Sequence, residues 1–476
     1  GGMSLVTVLL LAGVGAYTAR VLPADHLFVG ILGALLLTLV PAHTAAIATV
    51  NWLLTHTLPT RVLPKLEFAM GIPASCRTMV VIPCLISQSN DLDRLFRQLE
   101  LHFLRNADPE LTFALLSDFA DAATPTRPED QSLLAYAQVR WAALNKAYAH
   151  QPFYFFHRQR LWNPNEHVWM GWERKRGKLH ELNRLLRGAQ DTSYSTCLGP
   201  QERLATIRYV LTLDADTVLP RDAARRLVGT LAHPLNQAAF AVDAHAGQQQ
   251  AAAPVIDGYT IVQPRTVVQP VAANQSLFTR VFAGDSGFDL YTLAVSDVYQ
   301  DLFGAGIYVG KGLYDVDAFE RSLQGCIPEN TLLSHDLCEG IHGRVALVSD
   351  VVLYEDYPPH YLINVRRSHR WVRGDWQLLP WLLGRGTQLL PSPCPLFCRW
   401  WEKGGMGAKA AKADTPMPQR RRLGVIDHWK MLDNLRRSLL PPALLLLFIA
   451  GWTVLPGAPL VWTMLGLLVT AQPLLI

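Results

Sequence analysis

Apolar positions are distributed along this chain in two distinct ways. At both ends they form long runs: SLVTVLLLAGVGAYTA (4–19), LFVGILGALLLTLVPAHTAAIATVNWLL (27–54), LLPPALLLLFIAGWTVL (439–455) and PLVWTMLGLLVTAQPLLI (459–476). A spanning helix needs about 20 apolar residues, so the pattern predicts two transmembrane helices within 1–57 and two within 438–476. Between them, short apolar runs alternate with stretches whose apolar residues recur at helical spacing. TMVVIPCLI (78–86), LTFALLSDF (111–119), PFYFFHR (152–158) and YVLTLDADT (209–217) read as strands or strand ends; 91–106, 129–149 and 177–188 read as helices. Strand and helix taking turns predicts an α/β domain with a mostly parallel sheet, over about 75–395.

Composition supports this division. At 476 residues the chain exceeds one ordinary domain of about 100–200 residues. Half of it is hydrophobic and 17% is charged, and the excess of apolar residues sits in the terminal runs. No Lys or Arg precedes the first run and a second follows closely, which favours a span over a signal peptide. A net charge of +4 does not point to nucleic acid; its distribution is more informative. Arg61 and Lys65 follow the second run, and Arg420, Arg421, Arg422, Lys430, Arg436 and Arg437 precede the third, so the positive-inside rule places the middle section in the cytoplasm. Residues 396–437 read as a basic cytoplasmic loop and an amphipathic helix beside a lipid bilayer. The seven cysteines, odd in number and scattered, fit reduced thiols, and Cys394 and Cys398 lack a second pair for a zinc site.

In such sheets, ligands bind beyond the carboxyl ends of the strands, where Asp118, Asp121, Asp214 and Asp216 fall. Two chemistries use an apolar strand that ends in Asp-x-Asp. One holds a divalent cation, Mg²⁺ or Mn²⁺, with the diphosphate of a nucleotide sugar. The other uses an aspartyl nucleophile for phosphoryl transfer, as in the haloacid dehalogenase superfamily, and GDSGFD (284–289) matches a second motif of that kind. Phosphoryl transfer needs a lysine between the two motifs, and no Lys occurs from 179 to 310. Glycosyl transfer with inversion needs a base at the acceptor hydroxyl. Asp336, in ENTLLSHDLCEG (329–340), is the candidate; the plainer reading is a helix cap supplied by Ser334 or Asp336.

The order Asp118, Gly177-Lys178 with Asn183, Asp214-Ala215-Asp216, Asp336 and RRSHRW (366–371) resembles the processive membrane glycosyltransferases of the cellulose and hyaluronan synthase type. Within that class, TLDADTVLPRDAARRLVGTLAHPLN, AVSDVYQDLFGAGIYVGKGLYDVDAFE and HRWVRGDWQLLPWL are similar to the glycosyltransferase region of bacterial cyclic β-1,2-glucan synthases. The resemblance covers roughly residues 75–440. It implies a GT-A type nucleotide-sugar transferase fold with a mixed, mostly parallel sheet, flanked by transmembrane helices in a bacterial inner membrane. The implied reaction is transfer of glucose from UDP-glucose to a β-1,2-glucan acceptor. By resemblance, Asp118 faces the uridine, Lys178 and Asn183 lie in the donor site, Asp214 and Asp216 hold the metal, and Asp336 is the base. Arg370 and Trp371 match the final Arg-Trp of a Q-x-x-R-W motif that meets diphosphate and acceptor sugar, and Arg367 stands where that motif has Gln.

Residues 366–383 also read as an interfacial helix, with arginines toward headgroups and Trp371, Trp376 and Trp381 at the membrane surface. GKG (310–312) reads as a tight turn near the acceptor, and His335 as a packed or capped residue. The chain stops inside an apolar run, so further domains of a longer synthase are expected. The alternatives are another processive β-glycan synthase with a different donor or linkage, a membrane-anchored phosphatase, and a silent scaffold.

Overall fold

The computed structural model describes residues 2–241, 253–283, 297–327, 329, 332, 335–383 and 423–475. The GDSGFD segment, Cys394, Cys398 and the Gly/Ala/Lys-rich stretch 402–422 lie outside the described residues. Two helices open the chain, α1 (Gly2–Val21) and α2 (Leu27–Thr57). The domain follows as β1 (Thr78–Ile86), α3 (Ser89–Arg105), β2 (Leu111–Phe119), α4 (Asp130–Lys146), β3 (Phe153–Arg158), α5 (Arg174–Leu186), β4 (Tyr194–Leu198), β5 (Tyr209–Thr212) and α6 (Ala223–Ala232). It continues with β6 (Ile261–Val268), β7 (Gly312–Asp315), α7 (Val316–Leu323), α8 (Asp336–Gly343), β8 (Val345–Glu355) and α9 (Tyr361–Gln377). Two further long helices, α10 (Val425–Thr453) and α11 (Pro459–Leu475), end the chain.

The eight strands form one mixed sheet in the order β8-β6-β7-β5-β1-β2-β3-β4. Six run in one direction, and β4 and β7 run against their neighbours. β2 is buried at all nine positions, which is why its sequence is apolar almost throughout instead of alternating. Successive residues of β1 serve opposite faces: Val80 and Ile82 join a core with Leu92, Phe96 and Leu227 from α3 and α6, while Met79 and Val81 join one with Leu179, Leu182 and Phe319 from α5 and α7. Both faces are thus covered, and the strand ends are left as the place for ligand. The predicted strands and helices of the first half stand where the apolar pattern puts them. The short antiparallel strands β4 and β7 were not foreseen.

Two histidines are sealed into this frame. His157 bonds Ser117 Oγ at 2.8 Å through Nδ1 and His102 accepts from the Leu219 amide at 3.4 Å, and burial pushes each imidazole down to about 4. The unfolded chain protonates them near pH 6.5, so their contribution to stability is complete above that pH and falls as pH drops toward 4. The expected slope is about 1.4 kcal/mol per pH unit for each histidine. Burial raises Asp375 to about 6, and the carboxylates of Glu339 and Asp336, outweighing burial, raise His335, so both groups act in the opposite sense. The clean readout is therefore a difference: His157→Gln should flatten the fall of the melting midpoint between pH 6.5 and 4.5. An unchanged slope would contradict it.

Among the described residues, three helices, Gly2–Val21, Ala24–Thr57 and Val425–Thr453, are long and apolar enough to cross a membrane. The 17-residue α11 is apolar but shorter, about 26 Å at 1.5 Å per residue. The 31 residues of α2 rise about 46 Å, well beyond a hydrocarbon core of about 30 Å. Its surplus length meets the domain, where Ile47 packs with Val298 and Tyr299. The amphipathic segment 425–439 and the third apolar run form one unbroken helix, α10, despite Pro441 and Pro442. On α10, Lys430 Nζ donates to the Gly306 carbonyl at 2.7 Å, and Arg436 donates to Thr44 Oγ1 of α2 at 2.8 Å. The first bond ties α10 to the domain, and the second ties α10 to α2.

Candidate active site

The carboxyl ends of β5, β1 and β2 carry two clusters of charge with different characters. The first is buried. Arg158, at the end of β3 and fully enclosed, grips Asp118 with two bonds of 2.8 Å and Glu181 with one of 2.9 Å, and also donates to the carbonyls of Trp172 and Arg174. Lys178 Nζ donates to the Cys84 carbonyl at 2.7 Å and lies 3.1 Å from Asp118. Two cations and two carboxylates balance one another here. Burial alone would raise the Asp118 carboxyl, but Lys178 and Arg158 hold it below its ordinary range. Asn183 lies beyond this cluster, donating to Glu320 at 2.7 Å and accepting from the Tyr314 hydroxyl at 3.0 Å. It fastens α5 to α7 and β7.

The second cluster is open. Asp214 is half-buried, and its two oxygens accept from different lysines: Lys175 at 2.5 Å and Lys311 at 2.9 Å. The surrounding protein would raise this carboxyl, but the two ammonium groups outweigh it and hold it far below the usual range. Asp216 is exposed, and its carboxyl is raised, first by loss of surrounding water and then by the charges of Asp214 and Glu355. Glu355 arrives because Val218, two residues past Asp216, pairs with Tyr354 through backbone bonds of 2.7 and 3.2 Å. Lys311 then bridges Asp214 to Glu355, at 2.5 Å from the latter.

A single glycine joins this cluster to Asp336. Lys175 also donates to the Gly310 carbonyl at 2.8 Å, and a β-carbon on Gly310 would lie 2.5 Å from Asp336 Oδ1. Gly310 has φ +83, so no side chain fits its backbone or its surroundings. Asp336 is the first residue of α8, and its Oδ1 has no hydrogen-bond partner among the described residues. Beside it, His335 pairs with Glu339 at 2.9 Å, both buried, and these two with Asp336 place their ligand-type atoms within 4.8 Å of one another. Gly310→Ala is expected to lower turnover on the order of a hundredfold, the scale of a displacement of about 1 Å at a reacting group. Circular dichroism should show the fold retained; full turnover in this variant would contradict the geometry.

The helix α9 closes one side. Its Arg367 stacks on Tyr357 and Trp371, with guanidinium-to-centroid distances of 5.0 and 4.7 Å, and feels the charges of Asp216 and Glu355. Arg370 is exposed and Trp371 is half-buried. Tyr361, Leu362, Val365 and Trp376 of α9 are exposed apolar residues, whereas Trp381, expected at a membrane surface, is buried with Leu378 and Met431.

The structure therefore brings together Asp214, Asp216, Asp336 and Arg367. It sets Asp118 and Lys178 in the adjoining buried cluster and Asn183 outside both. Lys175, Lys311, Glu355 and Arg158 were missed from sequence. The one available signal was the GKG turn, whose lysine is Lys311.

No family model matches the chain. A curated cyclic beta-(1,2)-glucan synthase, NdvB of Rhizobium meliloti (strain 1021), is 42% identical over 463 residues, which is 96% of this chain. The chain is similar to one region of that cyclic β-1,2-glucan synthase. It spans about 15% of that protein's length.

Proposed function

We propose that this region is an inverting glycosyltransferase that moves glucose from UDP-glucose to the 2-hydroxyl of a growing β-1,2-glucan at a membrane surface. The observation that carries the reading is the meeting at Gly310: the group that holds Asp214 and the carboxylate of Asp336 touch the same glycine. This supports a site in which the donor phosphates and the acceptor base would lie side by side, as a single displacement requires.

In this reading Asp336 accepts the proton of the acceptor hydroxyl as that oxygen bonds to C1 of the glucose. The bond from C1 to the diphosphate oxygen breaks, and UDP departs with the electron pair. Displacement from the opposite face turns an α-linked donor into a β-linked product. His335 and Glu339 fix the first turn of α8 and so aim Asp336. The residues suit a divalent cation: Asp216 is exposed and crowded by negative charge, and Asp214 stands beside it. When bound there, Mg²⁺ or Mn²⁺ would neutralise charge on the leaving diphosphate. Arg367, at the position occupied by Gln in related synthases, adds a cation on the same side.

The basic residues near Arg61 and Arg436 support a cytoplasmic position for the domain in a bacterial inner membrane. Further domains of a longer synthase are part of this proposal. Donor identity is tested by competition. Unlabelled UDP-glucose should suppress incorporation from labelled UDP-glucose far better than UDP-N-acetylglucosamine does, and linkage analysis should find 2-substituted glucose. Preference for an aminosugar donor or another linkage would favour a different β-glycan synthase.

A further inference from the structure

Asp214 is over-supplied with cations. One carboxylate receives two ammonium groups, from the first turn of α5 and from the turn before β7. Neither lysine is sequestered: their side chains are 26% and 12% exposed. Each ammonium has three N–H donors. Lys175 uses two, on Asp214 and the Gly310 carbonyl; Lys311 uses one, on Asp214, and lies 2.5 Å from Glu355. Among the described residues at least one donor of each is uncommitted. Lys178, the lysine expected in the donor site, is 3% exposed and lies in the buried cluster beside Asp118 and the Cys84 carbonyl, out of reach of a phosphate at the mouth of the site.

We propose that Lys175 and Lys311 are the residues that bind the donor diphosphate, and that Asp214 holds them at the site until the nucleotide sugar arrives. The inference rests on the glycosyltransferase reading above and adds to it the ligands of the phosphates. The two ammonium groups each hold a different oxygen of Asp214, and the Gly310 carbonyl that Lys175 also holds belongs to the glycine lying against Asp336. A diphosphate would exchange carboxylate contacts for phosphate contacts on both lysines. Asp214 would then be released to share a cation with Asp216. The same two lysines would also steady the charge that grows on UDP as it leaves.

The test is calorimetric, on the full 476-residue chain in detergent, with three probes: UDP with Mn²⁺, uridine, and Mn²⁺ alone. Lys175→Met and Lys311→Met should each weaken UDP binding about tenfold or more, the scale of a charge-assisted bond. Uridine affinity should stay within about twofold, and Mn²⁺ alone should bind at least as tightly, because a competing cation has been removed from Asp214. Lys→Arg at either position should recover part of the UDP affinity. Undiminished UDP binding in both Met variants overturns the assignment while leaving the transferase reading intact. Equal loss of UDP and uridine would mean damage to the fold and would also overturn it. If the parent protein binds neither UDP nor uridine, the glycosyltransferase reading itself fails.

Discussion

Asp336→Asn is expected to cut glucose transfer by about 10²- to 10⁴-fold, the usual worth of a positioned general base, with UDP affinity changed by less than about twofold. The substitution keeps the shape of the side chain and removes its ability to take a proton. Asp336 suits the role because its neighbours leave it available. The backbone of Gly310 presses against it, His335 is engaged with Glu339, and one carboxylate oxygen has no partner among the described residues. A helix cap would be tied to backbone amides, and His335, the residue preceding α8, makes no side-chain cap bond. Turnover by Asp336→Asn within tenfold of the parent would remove Asp336 from the chemistry.

The second large effect concerns stability. Arg158→Met is expected to destabilise the domain by about 3–5 kcal/mol, the cost of leaving buried charges without their partner. Arg158 is fully enclosed and serves Asp118, Glu181 and two carbonyls from one guanidinium. Lys178 would remain beside Asp118, but Glu181 would keep only its bonds to Ser193. Arg158→Lys is expected to be nearly as harmful, because one ammonium cannot reproduce a two-bond grip on Asp118. Thermal unfolding followed by circular dichroism checks both variants. A midpoint close to that of the parent would show that the buried cluster is not what holds β2, β3 and α5 together.

Much of the fold was readable because burial on both faces leaves its mark on sequence. β1, β2 and β3 are continuous apolar runs, and α3 shows one apolar stripe through Leu92, Leu95, Phe96 and Leu99. β4 and β7 are only five and four residues long, too short to carry a period, and they were missed. The carboxylates were readable because strand ends deliver them. Their cations were not: Lys175, Lys311 and Glu355 come from three separate elements, and no local spacing links them. Phosphoryl transfer of the haloacid dehalogenase kind needs a lysine between its two motifs; Lys175 and Lys311, which stand on Asp214, lie outside the interval 179–310. The 42% identity to a glucan synthase also weighs against phosphatase chemistry. The arginine that holds Asp118 was hidden at the end of PFYFFHR, where it looked like an ordinary strand terminus.

The most direct test of the account is elongation of a labelled short β-1,2-glucan by the purified chain with UDP-glucose and Mn²⁺, read by mass spectrometry beside Asp216→Ala. Growth of the acceptor one hexose at a time, with matching UDP release and loss of both in the variant, is the predicted result. UDP-glucose hydrolysis without acceptor growth, or growth that persists in Asp216→Ala, would contradict it.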